Sequence, residues 1–97
     1  MFLINMQFTA PLTEIDKLVG AHRDYLTGKY QDGTLLFGGR KVPRQGGIII
    51  STQTSKADVE ALLAGDPLIE NQLAQYTLTE FEPVMCNEQM AGILGLE

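Results

Sequence analysis

The chain contains no tryptophan, one cysteine and one histidine in 97 residues. A single cysteine, Cys86, excludes an intrachain disulfide. One histidine and one cysteine leave a structural zinc site short of ligands. Basic residues are few as well: seven Lys and Arg against twelve Asp and Glu, a net charge of −5. Such a surface lacks the basic stripe that nucleic acid requires, although Arg40, Lys41 and Arg44 form a local basic group. No run approaches the ~20 apolar residues of a membrane-spanning helix. The N-terminus, MFLINMQFTAP, has neither a basic leader nor a long apolar core. The expectation is a cytoplasmic protein that engages neither nucleic acid nor membrane and carries no metal or other cofactor.

What is present is the balance of an ordinary globular domain, 44% hydrophobic and 20% charged. The length allows one domain and not two. A domain of this size buries only about 60–65% of its unfolded surface, so a partner chain would help it.

Residues 2–8 alternate, with Phe2, Ile4, Met6 and Phe8 on one face of a strand. Pro11 breaks it. Thr13 with Asp16 three residues on reads as the cap of a helix. The apolar stripe Ile15, Leu18, Val19, His22, Tyr25, Leu26 and Tyr30 follows one helical face. Asp32-Gly33 ends it. A strand is expected at about 34–42, interrupted by Gly38-Gly39, then a turn from Pro43 to Gly47. The β-branched run GGIIISTQ reads as a buried strand. Ser55 with Asp58 starts a second helix, placed on Ala57, Ala61, Leu62 and their apolar neighbours and interrupted by Gly65. Asp66-Pro67 opens a further helical piece over 67–74, and a last strand runs through about 76–84. The tail 85–97 is apolar, and its two glycines weaken it as a helix.

The order is strand, helix, strand, strand, helix pair, strand. That is the βαββαβ pattern of an α+β, ferredoxin-like plait with four antiparallel strands and helices on one face. Because GGIIIS is apolar on both faces, the open face of the sheet needs a cover. A face-to-face homodimer, of the dimeric α+β barrel type, is the simplest one.

The histidine lies in GAHRDYL, two residues before an acid. Residues two apart on a helix are separated by about 200°, so Asp24 points away from His22 and reads as a solvated charge. His22 sits in the apolar stripe, where a desolvated imidazole needs a partner. On pattern alone a core histidine bonded to a backbone carbonyl is the simpler reading. Asp66 is a candidate acid, although Asp before Pro is also what helix capping alone selects. Both roles are compatible, since a carboxylate has two oxygens.

The stretches AHRDYL, DGTLLFGG, GGIIIST and TSKADVEALLAGDPLIENQLAQYTLTEFEP resemble the YCII-related family over about residues 2–84. The resemblance implies a dimeric ferredoxin-like domain over 1–84, followed by the tail 85–97. It also implies an active site built on a His–Asp dyad, which here falls on His22 and Asp66. Members of the family often carry Gly-Pro where this chain has Gly38-Gly39, a departure that bears on loop shape and substrate. The best-understood activity in the family is removal of HCl from a chlorinated aromatic diol.

The implied chemistry is acid–base. Asp66 would fix the imidazole tautomer, and His22 would take a proton from a phenol or an acidic carbon. Gly38 and Gly39 would let a planar ligand approach the backbone. Arg40 or Arg44 would hold a phenolate or carboxylate, though a basic turn facing water explains them equally well. Tyr25, one turn after His22, would line the pocket or pack in the core. The expectation is a cofactor-free lyase or isomerase acting on a small cyclic phenolic or anionic compound. The alternative is a homodimer that binds a small ligand without turning it over.

Overall fold

The computed structural model describes residues 1–96. Its elements are β1 (Phe2–Phe8), α1 (Leu12–Gln31), β2 (Leu35–Arg40), β3 (Gly46–Ser51), α2 (Lys56–Ala64), α3 (Pro67–Glu70), β4 (Ala74–Glu80) and α4 (Glu88–Leu94). The four strands form one antiparallel sheet in the order β2-β3-β1-β4. This is the ferredoxin-like α+β fold.

The alternation in β1 sets the layers. Phe2, Ile4 and Met6 are buried, and they meet Ile15 and Leu26 of α1, Val59, Leu62 and Leu63 of α2, and Leu68 of α3 in one core. Within β3, Ile49 and Ser51 face that core, and the Ser51 hydroxyl donates to the Thr34 carbonyl at 2.8 Å. Cross-strand partners share a face of a sheet. The pairs Phe37↔Ile50 and Leu3↔Ile50 therefore put Phe37, Ile50 and Leu3 together on the opposite face, away from the core. Phe37 there is 58% exposed.

Several boundaries differ from expectation. Thr13 does not cap α1. The helix starts directly after Pro11, whose carbonyl accepts from Glu14 and Ile15, and no side chain caps it. Ser55 does cap α2, accepting from Asp58 N–H at 3.4 Å. In α2 the alanines lie outward and Val59, Leu62 and Leu63 lie inward. The helical piece after Asp66 is a single turn rather than 67–74. Asn71 closes it by donating from its side chain to the Pro67 carbonyl at 2.8 Å. Gln72 then takes a left-handed φ of 59° and turns the chain into β4, which begins at Ala74 and ends at Glu80, earlier than expected.

The tail contains a helix that was not expected. Asn87 caps α4 by accepting from Met90 N–H at 3.1 Å, and Gly95, at φ 70°, terminates it. The second glycine stops the helix instead of weakening it. No side chain of α4 is buried. The last backbone tie between the tail and the sheet is the reciprocal pair of hydrogen bonds between Met1 and Phe81, at 2.9 and 3.0 Å.

Candidate functional site

The stripe of α1 does two jobs. At about 100° per residue, Leu18 and Tyr25 lie about 40° and 60° to one side of His22. Val19, Leu26, Tyr30 and Arg23 lie about 40° to 100° to the other side. Tyr25 packs toward the α2–α3 junction, where its hydroxyl donates to the Leu62 carbonyl at 2.6 Å. The other edge of the stripe faces the sheet where its inward side chains run out. Gly38 of β2 and Gly47 of β3 sit at inward positions there, opposite Ile49 and Met6 respectively. A cavity of about 320 Å³ results, walled by Met6, Phe8, the α1 edge, Arg40, Arg44 and glycines of β2 and β3. That volume suits a single-ring ligand.

Gly46 holds the strand end close. Its φ is 155°, and a Cβ there would run into the Met6 carbonyl on β1. Only glycine lets β3 close on β1 at this point.

His22 stands at the seam between the two edges. Its Nδ1 is 2.8 Å from both oxygens of Asp66, 44 residues away. Asp66 is fully buried, and its Oδ1 also accepts from Leu68 N–H at 3.0 Å as the cap of α3. The structure thus brings the two residues together, with the acid serving as cap and imidazole partner at once. A carboxylate accepts hydrogen bonds, so the proton of a neutral His22 resides on Nδ1 and the lone pair on Nε2. Nε2 has no hydrogen-bond partner among the described residues, and the His22 ring forms part of the cavity wall. Asp66 stands behind the ring and outside that wall.

Gly38, Gly39, Arg40 and Arg44 all border the cavity. Arg44 is tied to Asp16 at 2.7 Å. Tyr25 is the exception. Its side chain is spent on Leu62 and is not part of the wall, because it lies on the wrong side of His22 around the helix. Two polar wall residues were not anticipated, Arg23 and Tyr30. The signal for them was the angular position beside His22, visible only once the sheet's side of α1 is known. All three arginines of the chain line this cavity, and among the described residues no acid does. In a protein of net charge −5 this is a local concentration of positive charge, offset in part by the Arg44–Asp16 ion pair.

Asp24 is exposed, as helix geometry required. Among the described residues no group of three or more His, Cys, Asp or Glu converges as a metal cluster, and no helix is long and apolar enough to cross a membrane.

A ferredoxin-like sheet with a carboxylate-backed histidine in the wall of a small cavity bordered by arginines defines the class. The chain belongs to the YCII-related domain family, whose profile matches residues 1–82. Among solved structures it is similar to 5-chloro-2-hydroxyhydroquinone dehydrochlorinase from Burkholderia phenoliruptrix AC1100, in complex with 2,5-dihydroxybenzoquinone. The TM-score is 0.68 at 17% identity, over 84% of this chain and 93% of that one. At that identity the likeness concerns the fold. No curated protein sequence matches.

Proposed function

We propose that the protein is an acid–base enzyme, a lyase or isomerase, that acts on a small cyclic phenolic or anionic compound through a His22–Asp66 dyad. The observation that carries this reading is the contact of His22 Nδ1 with both Asp66 oxygens at 2.8 Å, on a ring that faces the cavity. In this reading Nε2 takes a proton from a ring hydroxyl or an acidic ring carbon. The electron pair moves into the ring. It leaves with an anion such as chloride, or is reprotonated elsewhere. Asp66 stabilises the imidazolium that forms. None of these steps requires a metal or a redox group. The dehydrochlorinase activity of the structural relative agrees with elimination as the reaction type.

The same reading includes a homodimer. The apolar row Phe37, Ile50 and Leu3 lies on the sheet face that no core residue covers, and a second copy of the chain would bury it. The segment that follows β4 is the natural strap across such an interface, since the Val84, Met85 and Ile93 side chains are exposed in the single chain.

The test is a screen of chlorinated phenols, hydroquinones and cyclic enols with wild-type protein, His22→Ala and Asp66→Asn. Turnover by wild type that is abolished in His22→Ala and strongly reduced in Asp66→Asn is expected. Turnover that survives both substitutions in folded protein rules the dyad out.

A further inference from the structure

Tyr30 is the uncharged polar side chain of the wall, and the dyad does not use it. It sits with Leu26 on the sheet-facing edge of α1, two turns beyond the histidine and about 12 Å along the axis. Its hydroxyl has no hydrogen-bond partner among the described residues, although the ring packs against the core. Tyr25 shows what a purely structural tyrosine does in this fold: its hydroxyl is satisfied by a carbonyl at 2.6 Å. A half-buried phenol without a protein partner is an available donor.

The glycine pair in β2 belongs to the same feature. A Cβ on Gly38 would lie 2.6 Å from the Tyr30 hydroxyl and 2.9 Å from the Ile48 carbonyl. The missing side chain leaves the hydroxyl its place over the strand, at the cavity wall. Burial pushes the ionisation of Tyr30 up from its ordinary value, so the phenol remains protonated at neutral pH. The charged and titratable groups around the same cavity are Arg23, Arg40, Arg44 in its pair with Asp16, and His22 in its pair with Asp66.

We infer that Tyr30 is a catalytic residue that donates a hydrogen bond to a ring oxygen of the ligand, on the side remote from His22. The rise of about 12 Å between the two positions on α1 is commensurate with a six-membered ring that has an oxygen at each end and one hydrogen bond outward from each. The inference rests on the acid–base reading of this cavity. When Nε2 takes its proton, negative charge spreads through the ring to the far oxygen, and the Tyr30 hydroxyl meets it there. A donor placed where charge develops is worth more to the transition state than to the ground state. Gly38 is then a positioning residue, because it keeps the hydroxyl in line.

The experiment uses the full chain and 4-nitrophenol, whose absorbance reports its own ionisation. Bound to wild type, the probe should ionise at lower pH than when free. Tyr30→Phe should raise the proton affinity of the bound probe about tenfold, the worth of one hydrogen bond to a charged oxygen, with an unchanged melting curve. Gly38→Ala should reproduce that shift with Tyr30 present. The Tyr30→Phe shift should persist in a His22→Ala background, which separates this inference from the dyad reading. Failure of wild type to bind the probe, or identical titrations of wild type and Tyr30→Phe, overturns it.

Discussion

Replacing Asp66 tests the site and the fold together, because one buried carboxylate serves both. Asp66→Ala removes the cap of α3, a loss of about 0.5–2 kcal/mol. It also strands the Nδ1 proton of His22, whose side chain is only 16% exposed, at a further cost of about 1–3 kcal/mol. Loss of the charge relieves the desolvation of a fully buried carboxylate, which favours the lower half of the combined range, about 2–3 kcal/mol. A domain of this size has about 5–15 kcal/mol of stability, so the variant should still fold. Its melting temperature should fall by about 10–20 °C. Asp66→Asn behaves differently. The amide oxygen still caps Leu68, while the amide nitrogen donates to Nδ1 and moves the imidazole proton to Nε2, the wrong tautomer for a base. Its stability loss should be about 1 kcal/mol, with turnover falling far more steeply than stability. Urea denaturation of wild type, Asp66→Ala, His22→Ala and the double variant completes the cycle. Costs that add to within about 0.5 kcal/mol would show that the two residues are energetically independent, and the reasoning would fail.

Three further outcomes follow from other parts of the fold. Gly46→Ala should lower stability by more than about 2 kcal/mol, read by denaturation, because its Cβ has no room beside the Met6 carbonyl. Phe37→Lys or Ile50→Glu should convert the proposed dimer to a monomer by light scattering without unfolding it, since both side chains lie on the uncovered face; an unchanged mass locates the interface elsewhere. Asp32 accepts from the Thr34 backbone N–H at 2.9 Å and from its hydroxyl at 2.7 Å, which holds its carboxyl below the ordinary value. The unfolded chain therefore takes up the proton first on acidification. The contribution of Asp32 is complete above the ordinary carboxylate range and is lost as pH falls through the lowered folded value. Asp32→Asn should flatten that acid limb in denaturation curves measured across pH.

How much of this was legible in the sequence depends on the range of the interaction. Strand β1 was readable because its alternation is local and one-sided. Ser55 and Asp66 were readable as caps because a cap bonds a backbone group two or three residues away. The start of α1 was missed because Thr13 satisfies the capping pattern while the Pro11 carbonyl already closes the first turn. Helix α4 was missed because its two glycines were weighed for propensity and not for position. The contact of His22 with Asp66 spans 44 residues and has no local signature. Family resemblance singled the pair out, whereas the stripe alone favoured a core histidine.

The two tyrosines show why pattern could place the site but not complete it. Tyr25 and Tyr30 belong to one stripe, and hydropathy gives no reason to prefer the one farther from His22. Helix geometry sets them about 140° apart around α1, so they cannot both face the same neighbour. Which edge faces the short helices and which faces the sheet is decided by the topology. Which edge borders a cavity is decided by glycines on β2 and β3, residues that in the sequence look only like strand interruptions. Gly38 links the two observations, since its missing side chain both opens the cavity and leaves room for the Tyr30 hydroxyl. The role proposed for Tyr30 depends on a residue on the helix and an absence on the strand opposite it. Neither is informative until the fold pairs them.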